Sequence, residues 1–260
     1  FTSCTEEYDG SSWSTGGALG TALYSNSGIG TQNAALSAGG GNGGLTACTF
    51  EYDGSSWSAG GALQVARYAM AGGGTQDAAV VAGGGFYNQC CICTEEYNGT
   101  SWSNGGSLSQ ARYELAGAGT QNATLASGGV TGTSTNCTEE YDGTSWSTAT
   151  GFSTTRRSIG GNGTQNAALI FGGNSNSQNS CTEEYNGSTW STSGALQVGR
   201  CCSAGAGLQS AALAIGGRTS AIAGMSCTEE YNQSTVSTFT TVKSFEYDET
   251  NGIVILSQVA

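Results

Sequence analysis

The chain has 260 residues, 44 of them glycine, no proline, no histidine and a net charge of −12 from 19 acidic and 7 basic side chains. So few Lys and Arg exclude a nucleic-acid or anionic-membrane surface, since both need clustered cations, and no apolar run approaches the ~18 residues that span a bilayer. The lack of histidine excludes Ser-His-Asp and Cys-His catalysis and most catalytic zinc sites, while a four-cysteine metal site stays open.

In chain order, Cys4 to Tyr8 alternates as a strand, Asp9-Gly10 supplies a tight turn, and a second strand centres on Trp13. A third strand type over 21–30 and a fourth over 31–39 follow, and at Cys48 the first type returns. The tyrosine of its Glu-Tyr pair recurs at Tyr8, Tyr52, Tyr97, Tyr141, Tyr185 and Tyr231, at intervals of 44 to 46 residues. Five residues on stand Trp13, Trp57, Trp102, Trp146 and Trp190, with Val236 in the sixth copy, and a Gly-Gly pair closes each unit from Gly39, Gly83, Gly128, Gly172 and Gly216. A period in the 40s built of short strands between glycines predicts an all-β propeller of four-stranded antiparallel blades. Full blades are expected over about 20–60, 63–106, 108–149, 153–193 and 196–240. Two strands remain at each end. Pairing Ile253 to Val259 with Cys4 to Tyr8 predicts a sixth blade of mixed origin, 1–16 plus 241–260, which shuts a six-bladed ring over a single domain, 1–260, and removes every exposed edge.

Because side chains alternate along a strand, Glu6 shares a face with Tyr8 while Glu7 takes the other. One carboxylate of each Glu-Glu-Tyr must therefore face packed surface and needs a partner. Arg67, Arg112, Arg156 and Arg200 recur once per blade and are expected to form structural ion pairs within a blade or to its neighbour. The alternative, an arginine ring lining the channel to bind an anion, is weakened by Leu23 and Lys243 at the corresponding positions. Tyr and Trp are read as inter-blade packing. Adjacent carboxylates that oppose each other across a sheet and recur in nearly every blade do not match a glycosidase pair facing one bond. The expectation is no enzyme, no cofactor and no metal.

Of ten cysteines, Cys4, Cys48, Cys93, Cys137, Cys181 and Cys227 hold the same place in each unit, too far apart between blades for the ~7 Å Cα limit on a bridge. They are expected as free thiols buried between blades. A local bridge from Cys90 or Cys91 to Cys93 stays open. So many thiols point to folding in a reducing cytoplasm. The segment after each Gly-Gly is rewritten from copy to copy while the strands are nearly repeated, which marks a binding rim with Phe86, Tyr87, Ile222 and Met225 as apolar anchors. Drift in solvated loops explains the same pattern equally well.

The order of Trp, Arg ten residues on, an apolar strand ending in Gly-Gly, and E-x-Y-D or its variants before the next Trp resembles the kelch repeat over the whole chain, in a unit shorter than the usual ~50 residues. The kelch-like copper oxidases need histidine ligands that this chain lacks. The wording GTQNAAL, GG and CTEEY(D/N)G(T/S)SW also resembles tandem kelch-like segments of marine bacteriophage (cyanophage-type) structural proteins. That resemblance implies a non-enzymatic virion component on a tail, fibre or capsid, assembled in a reducing bacterial cytoplasm and extracellular as part of the particle. Its partners would be other virion proteins or host surface carbohydrate, with no nucleic acid and no membrane insertion; homo-oligomerisation in an assembly is left open. The alternative is a cellular kelch-type module that docks a protein through its rim.

Overall fold

Two glycine devices shape each repeat. The Gly-Gly pair turns the chain out of the second strand with both residues in the left-handed region, φ 63° and 98° at Gly39 and Gly40 and 67° and 104° at Gly83 and Gly84, where a side chain is strained. The innermost strands are glycine-rich for a different reason, close approach: a Cβ on Gly117 would collide with the Gly72 backbone, and one on Gly205 with that of Gly161.

The structure, a computed structural model, describes residues 2–86, 89–220, 224–233, 242–248 and 253–258. It is a β-propeller of five blades, each antiparallel and laid out in sequence order from the channel outward. The first blade comprises Ser27–Thr31, Ala34–Ala38, Thr49–Tyr52 and Trp57–Ala59, and the second Ala71–Gly74, Ala79–Ala82, Thr94–Tyr97 and Trp102–Asn104. The third runs from Ala116–Thr120 to Trp146–Ala149 and the fourth from Gly160–Thr164 to Trp190–Ser193. The fifth has Ala204–Leu208, Ala211–Ile215 and Thr228–Asn232 among the described residues. The innermost strands touch one another in this order around the channel.

The core lies between blades, because each sheet buries one face forward and the other backward. Leu36 and Ala38 of the first blade pack on Ala79 and Val81 of the second, Leu125 of the third on Ala168 of the fourth, and Leu169 and Phe171 of the fourth on Ala212 and Ala214 of the fifth. Burying each such Leu contributes about 2 kcal/mol.

Between the fifth and first blades sits a two-stranded hairpin, Glu6–Tyr8 with Trp13–Thr15. The Tyr8 hydroxyl donates to Glu230 at 3.0 Å on one side, and Glu7 accepts from Tyr52 on the other. The hairpin thus holds the two outer strand positions of a blade and, among the described residues, no inner strands accompany it.

The six-bladed ring expected from the sequence is not what forms. Ile253–Gln258 pairs with Val242–Asp248, and Glu6–Tyr8 pairs with Trp13–Thr15. Spacing supplies the reason. Each Trp strand begins 14 residues before the next innermost strand, as from Trp57 to Ala71 or Trp190 to Ala204. Val242 lies only six residues after Val236, which holds the Trp position of the sixth copy. A Trp strand takes three or four residues, so the two or three left before Val242 would have to do what ten or eleven do in every other unit, returning the chain across a blade to the next innermost strand.

The repeated cysteines are less buried than expected: Cys4, Cys48 and Cys227 are exposed and Cys137 and Cys181 half-buried. Cys93 is joined to Cys91, one of the two local bridges the sequence left open. The position lies at the mouth of the third strand, where the chain enters the blade from the rim.

Candidate functional site

The repeated side chains fall into two layers that tie the ring together. In the first, each arginine pairs with the first glutamate of its own blade: Arg67 with Glu95 at 3.1 Å, Arg112 with Glu139 at 2.7 Å, Arg156 with Glu183 at 2.5 Å and Arg200 with Glu229 at 2.8 Å. All four arginine side chains are fully buried, so they do not line the channel. Arg112 also donates to the carbonyls of Gly128 and Cys137, and Glu139 accepts the Ser109 amide through its second oxygen. Burial pulls the Arg67 and Arg156 guanidinium groups down from their ordinary range, against the pull of their glutamates. The first blade carries Leu23 and Phe50 in place of Arg and Glu; replacing both avoids one buried charge without a counter-charge.

The second layer crosses blades. Each tyrosine hydroxyl donates to the second glutamate of the preceding unit: Tyr97 to Glu51 at 2.5 Å, Tyr141 to Glu96 at 2.5 Å, Tyr185 to Glu140 at 2.7 Å, Tyr231 to Glu184. With Tyr52–Glu7 and Tyr8–Glu230 the chain of bonds runs once round the molecule, passing through the N-terminal hairpin. Burial first and the glutamate second push Tyr97, Tyr141 and Tyr185 up to about 12. Each indole stacks on its own tyrosine, at 4.9 Å for Tyr97 and Trp102, and donates to the preceding unit's threonine, as Trp102 does to Thr49 at 2.9 Å. The turn glutamine adds a clamp: Gln76 donates to the carbonyls of Ala35 and Tyr52, and Gln121 to those of Ala79 and Tyr97.

With the repeated carboxylates so engaged, the surface left for function is the end where the Gly-Gly loops emerge. Its frame is a belt of backbone bonds: Ala69 N–H donates to the Ser25 carbonyl, Glu114 to Ala69, Ser158 to Glu114 and Cys202 to Ser158. To align these groups from blade to blade, all five residues take a left-handed conformation, φ 51° to 62°, which costs about 1 kcal/mol or more for a non-glycine residue. Immediately before each belt residue stands a position bridged to the Gly-Gly loop: Tyr24 to Gly41, Tyr68 to Gly85, Tyr113 to Val130, Arg157 to Asn174 and Cys201 to Arg218. Identical backbone therefore carries Tyr, Tyr, Tyr, Arg and Cys in turn. Tyr68 meets Tyr113 edge-on at 6.0 Å, and Arg157 lies 3.7 Å from Glu114, whose carboxylate also accepts the Ser158 hydroxyl at 2.6 Å.

Of the anchors expected from sequence, Phe86 is half-buried and pairs with Gln89 in a short rim hairpin. Met225 is half-buried, with its amide donating to Gly217. Tyr87 and Ile222 lie outside the described residues. The arc of Tyr24, Tyr68, Tyr113 and Arg157 was missed because those residues precede a strand instead of standing in a rewritten loop. No local signal marks it: the residue after the Leu/Arg position is Tyr in three of the five blades, and the residues that follow, Ser25, Ala69, Glu114, Ser158 and Cys202, vary at least as much.

The second candidate region is the open sector itself. A cavity of about 820 Å³ runs from the channel, lined by Gly72, Gly117 and Gly161, into the space beside Glu6, Leu213 and Ile215.

The fold is similar to the solved structure of YjhT, with a TM-score of 0.73 over 87% of each chain at 14% identity. No family model matches the chain and no curated protein matches it.

Proposed function

We propose that the protein is a non-enzymatic binding module whose ring is a scaffold and whose rim end engages a protein partner. The observation that carries this reading is the arc of Tyr24, Tyr68, Tyr113 and Arg157, where one backbone frame presents three tyrosines and an arginine as half-buried large side chains. Tyr and Arg are the residue types that dominate interface energetics, and loops on a rigid frame are where binding is grafted. Glutamates bound to arginine or tyrosine are occupied by structure, which supports the non-enzymatic part of the reading.

For the setting we favour a virion, on a tail, fibre or capsid. Support comes from the resemblance of the repeat wording to phage structural proteins and from eight free thiols among the described residues, which suit assembly in a reducing cytoplasm. Mass spectrometry of cross-linked purified particles identifies the neighbouring chain, and binding of that chain to the Tyr68→Ala/Tyr113→Ala variant tests the arc. A loss of about 100-fold or more is expected if both are hot spots. Unchanged binding, or recognition of an arrayed glycan by the unaltered rim with no protein neighbour, contradicts the reading.

A further inference from the structure

In the first four blades the belt residue is Ser25, Ala69, Glu114 or Ser158, and the arc residue before it is tyrosine or arginine; in the fifth blade both are cysteine. Cys201 is 2% exposed, Cys202 is exposed, and the Cys202 thiol donates to the Cys201 sulfur at 3.6 Å. Backbone bonds fix the pair from both sides. Cys201 and Arg218 exchange N–H to carbonyl bonds at 3.1 and 2.9 Å, and Cys202 N–H donates to the Ser158 carbonyl at 2.9 Å. The exposed Arg218 guanidinium hydrogen-bonds the Cys201 sulfur and lies in the field of both sulfurs, which hold it above its ordinary range. Every other arginine pairs with a glutamate. Among the described residues, Arg218 is the one that pairs with sulfur instead.

Two touching thiols either close to a disulfide or share one ion, and distance decides between them. Consecutive Cα atoms stand ~3.8 Å apart, short of the ~4.4 to 6.8 Å that relaxed bridges span, so this pair resists bridging. An ion with metal–sulfur bonds of ~2.3 Å reaches two sulfurs up to ~4.6 Å apart, and Cys201 and Cys202 fall within that reach. Thiolates select soft ions, copper(I) and zinc among them. Among the described residues no group of three or more His, Cys, Asp or Glu is placed to hold a metal, so the chain offers half of the tetrahedral set that zinc takes. Charge makes the same choice. Two thiolates with Zn2+ are neutral and leave Arg218 nothing to balance, whereas two thiolates with Cu+ keep one negative charge, which one guanidinium offsets. We infer that Cys201 and Cys202 form a dithiolate site for a soft monovalent cation, Cu+, with Arg218 as the counter-charge beside it. Binding exchanges the two thiol protons for one Cu+ and changes no oxidation state. The buried sulfur fixes the ion's position, and the exposed one gives it a way in.

Anaerobic titration of the full chain with Cu+, held by ascorbate and the coloured chelator bicinchoninate, reads the site while leaving the Cys91–Cys93 bridge closed. One equivalent should pass from the chelator to the protein. Arg218→Gln should weaken that uptake about 10- to 100-fold, as loss of a partner behind the ligands does, and Arg218→Lys should keep most of it. Cys202→Ser removes a ligand and should weaken uptake further than Arg218→Gln. Serine already stands at that belt position in the first and fourth blades, as Ser25 and Ser158, so this variant should keep the urea midpoint of the parent. The lone exposed thiols Cys4, Cys48 and Cys227 stay in every variant and set a common background. Unchanged uptake by Cys202→Ser overturns the inference, as does equal uptake by Arg218→Gln and the parent. So does ready closure of a Cys201–Cys202 disulfide by oxidised glutathione, read by mass spectrometry, because a bridged pair holds no ion.

Discussion

The interface between the second and third blades is filled from the outer edge to the channel, whereas the sector between the fifth blade and the first is filled only in its outer half. At the first, Tyr141 bonds Glu96, Gln121 clamps the carbonyls of Ala79 and Tyr97, and Ala82, Leu115 and Ala126 close the interior. At the second, Tyr8 bonds Glu230 and Trp13 bonds Thr228, but Leu213 and Ile215 border an open cavity. Circular continuity and a sealed core are thus separable properties of this ring. A polar outer layer of tyrosine and tryptophan tips supplies the first, and apolar faces of inner strands supply the second.

Breaking the filled interfaces should have the largest effect. Arg112→Met leaves Glu139 buried without a counter-charge and is expected to cost about 3 to 5 kcal/mol in urea unfolding. Arg112→Leu with Glu139→Phe, copied from the first blade's Leu23 and Phe50, should recover most of that loss; if the double variant is no better than the single one, the pair is not the unit that the first blade implies. Next in size, Leu125→Ala should cost about 2 to 4 kcal/mol, while Leu213→Ala on the open sector costs under about 1 kcal/mol in dilute protein because little packing is removed. Equal losses would mean that the sector is sealed. Smaller again, Tyr97→Phe removes a bond to a charged acceptor in a buried setting and should cost about 1 to 2 kcal/mol, and Tyr8→Phe, at the more exposed hairpin, should cost less.

A further test is a pH limb. A tyrosine held at about 12 in the native state and near 10 when unfolded stabilises the fold fully below pH ~10 and loses that contribution as pH rises through ~12. The urea midpoint should therefore fall between about pH 10 and 12, and less steeply after Tyr97→Phe. A midpoint flat to pH 12 would count against buried tyrosine–glutamate bonds.

Repetition made the blades legible. Alternation around Glu95, Glu96 and Tyr97 showed that one carboxylate of each pair needs a partner and the once-per-blade arginines supplied it, though not which of the two, and the spacing of Gly83 and Trp102 located the strands. Two things escaped. The closure failed because a two-strand remainder at each terminus satisfies strand counting but not linker length, and the six residues from Val236 to Val242 were not weighed against the 14 in every other unit. The cysteines were placed between blades from their small apolar character, yet Cys4 and Cys48 stand exposed at strand mouths. The rim arc escaped for a third reason: its left-handed belt exists only once neighbouring blades lend each other carbonyls, which no local sequence signal encodes.

Amide hydrogen exchange in dilute, monomeric protein tests most directly whether the inner half of the sector is unmade by its own chain. Glu6 and Tyr8 amides should exchange fast while those of Glu95 and Tyr97, at the same places in the second blade, are strongly protected. Equal protection at all four positions in the monomer would contradict the account, because it would mean that the chain lays its own strand beside Glu6–Tyr8.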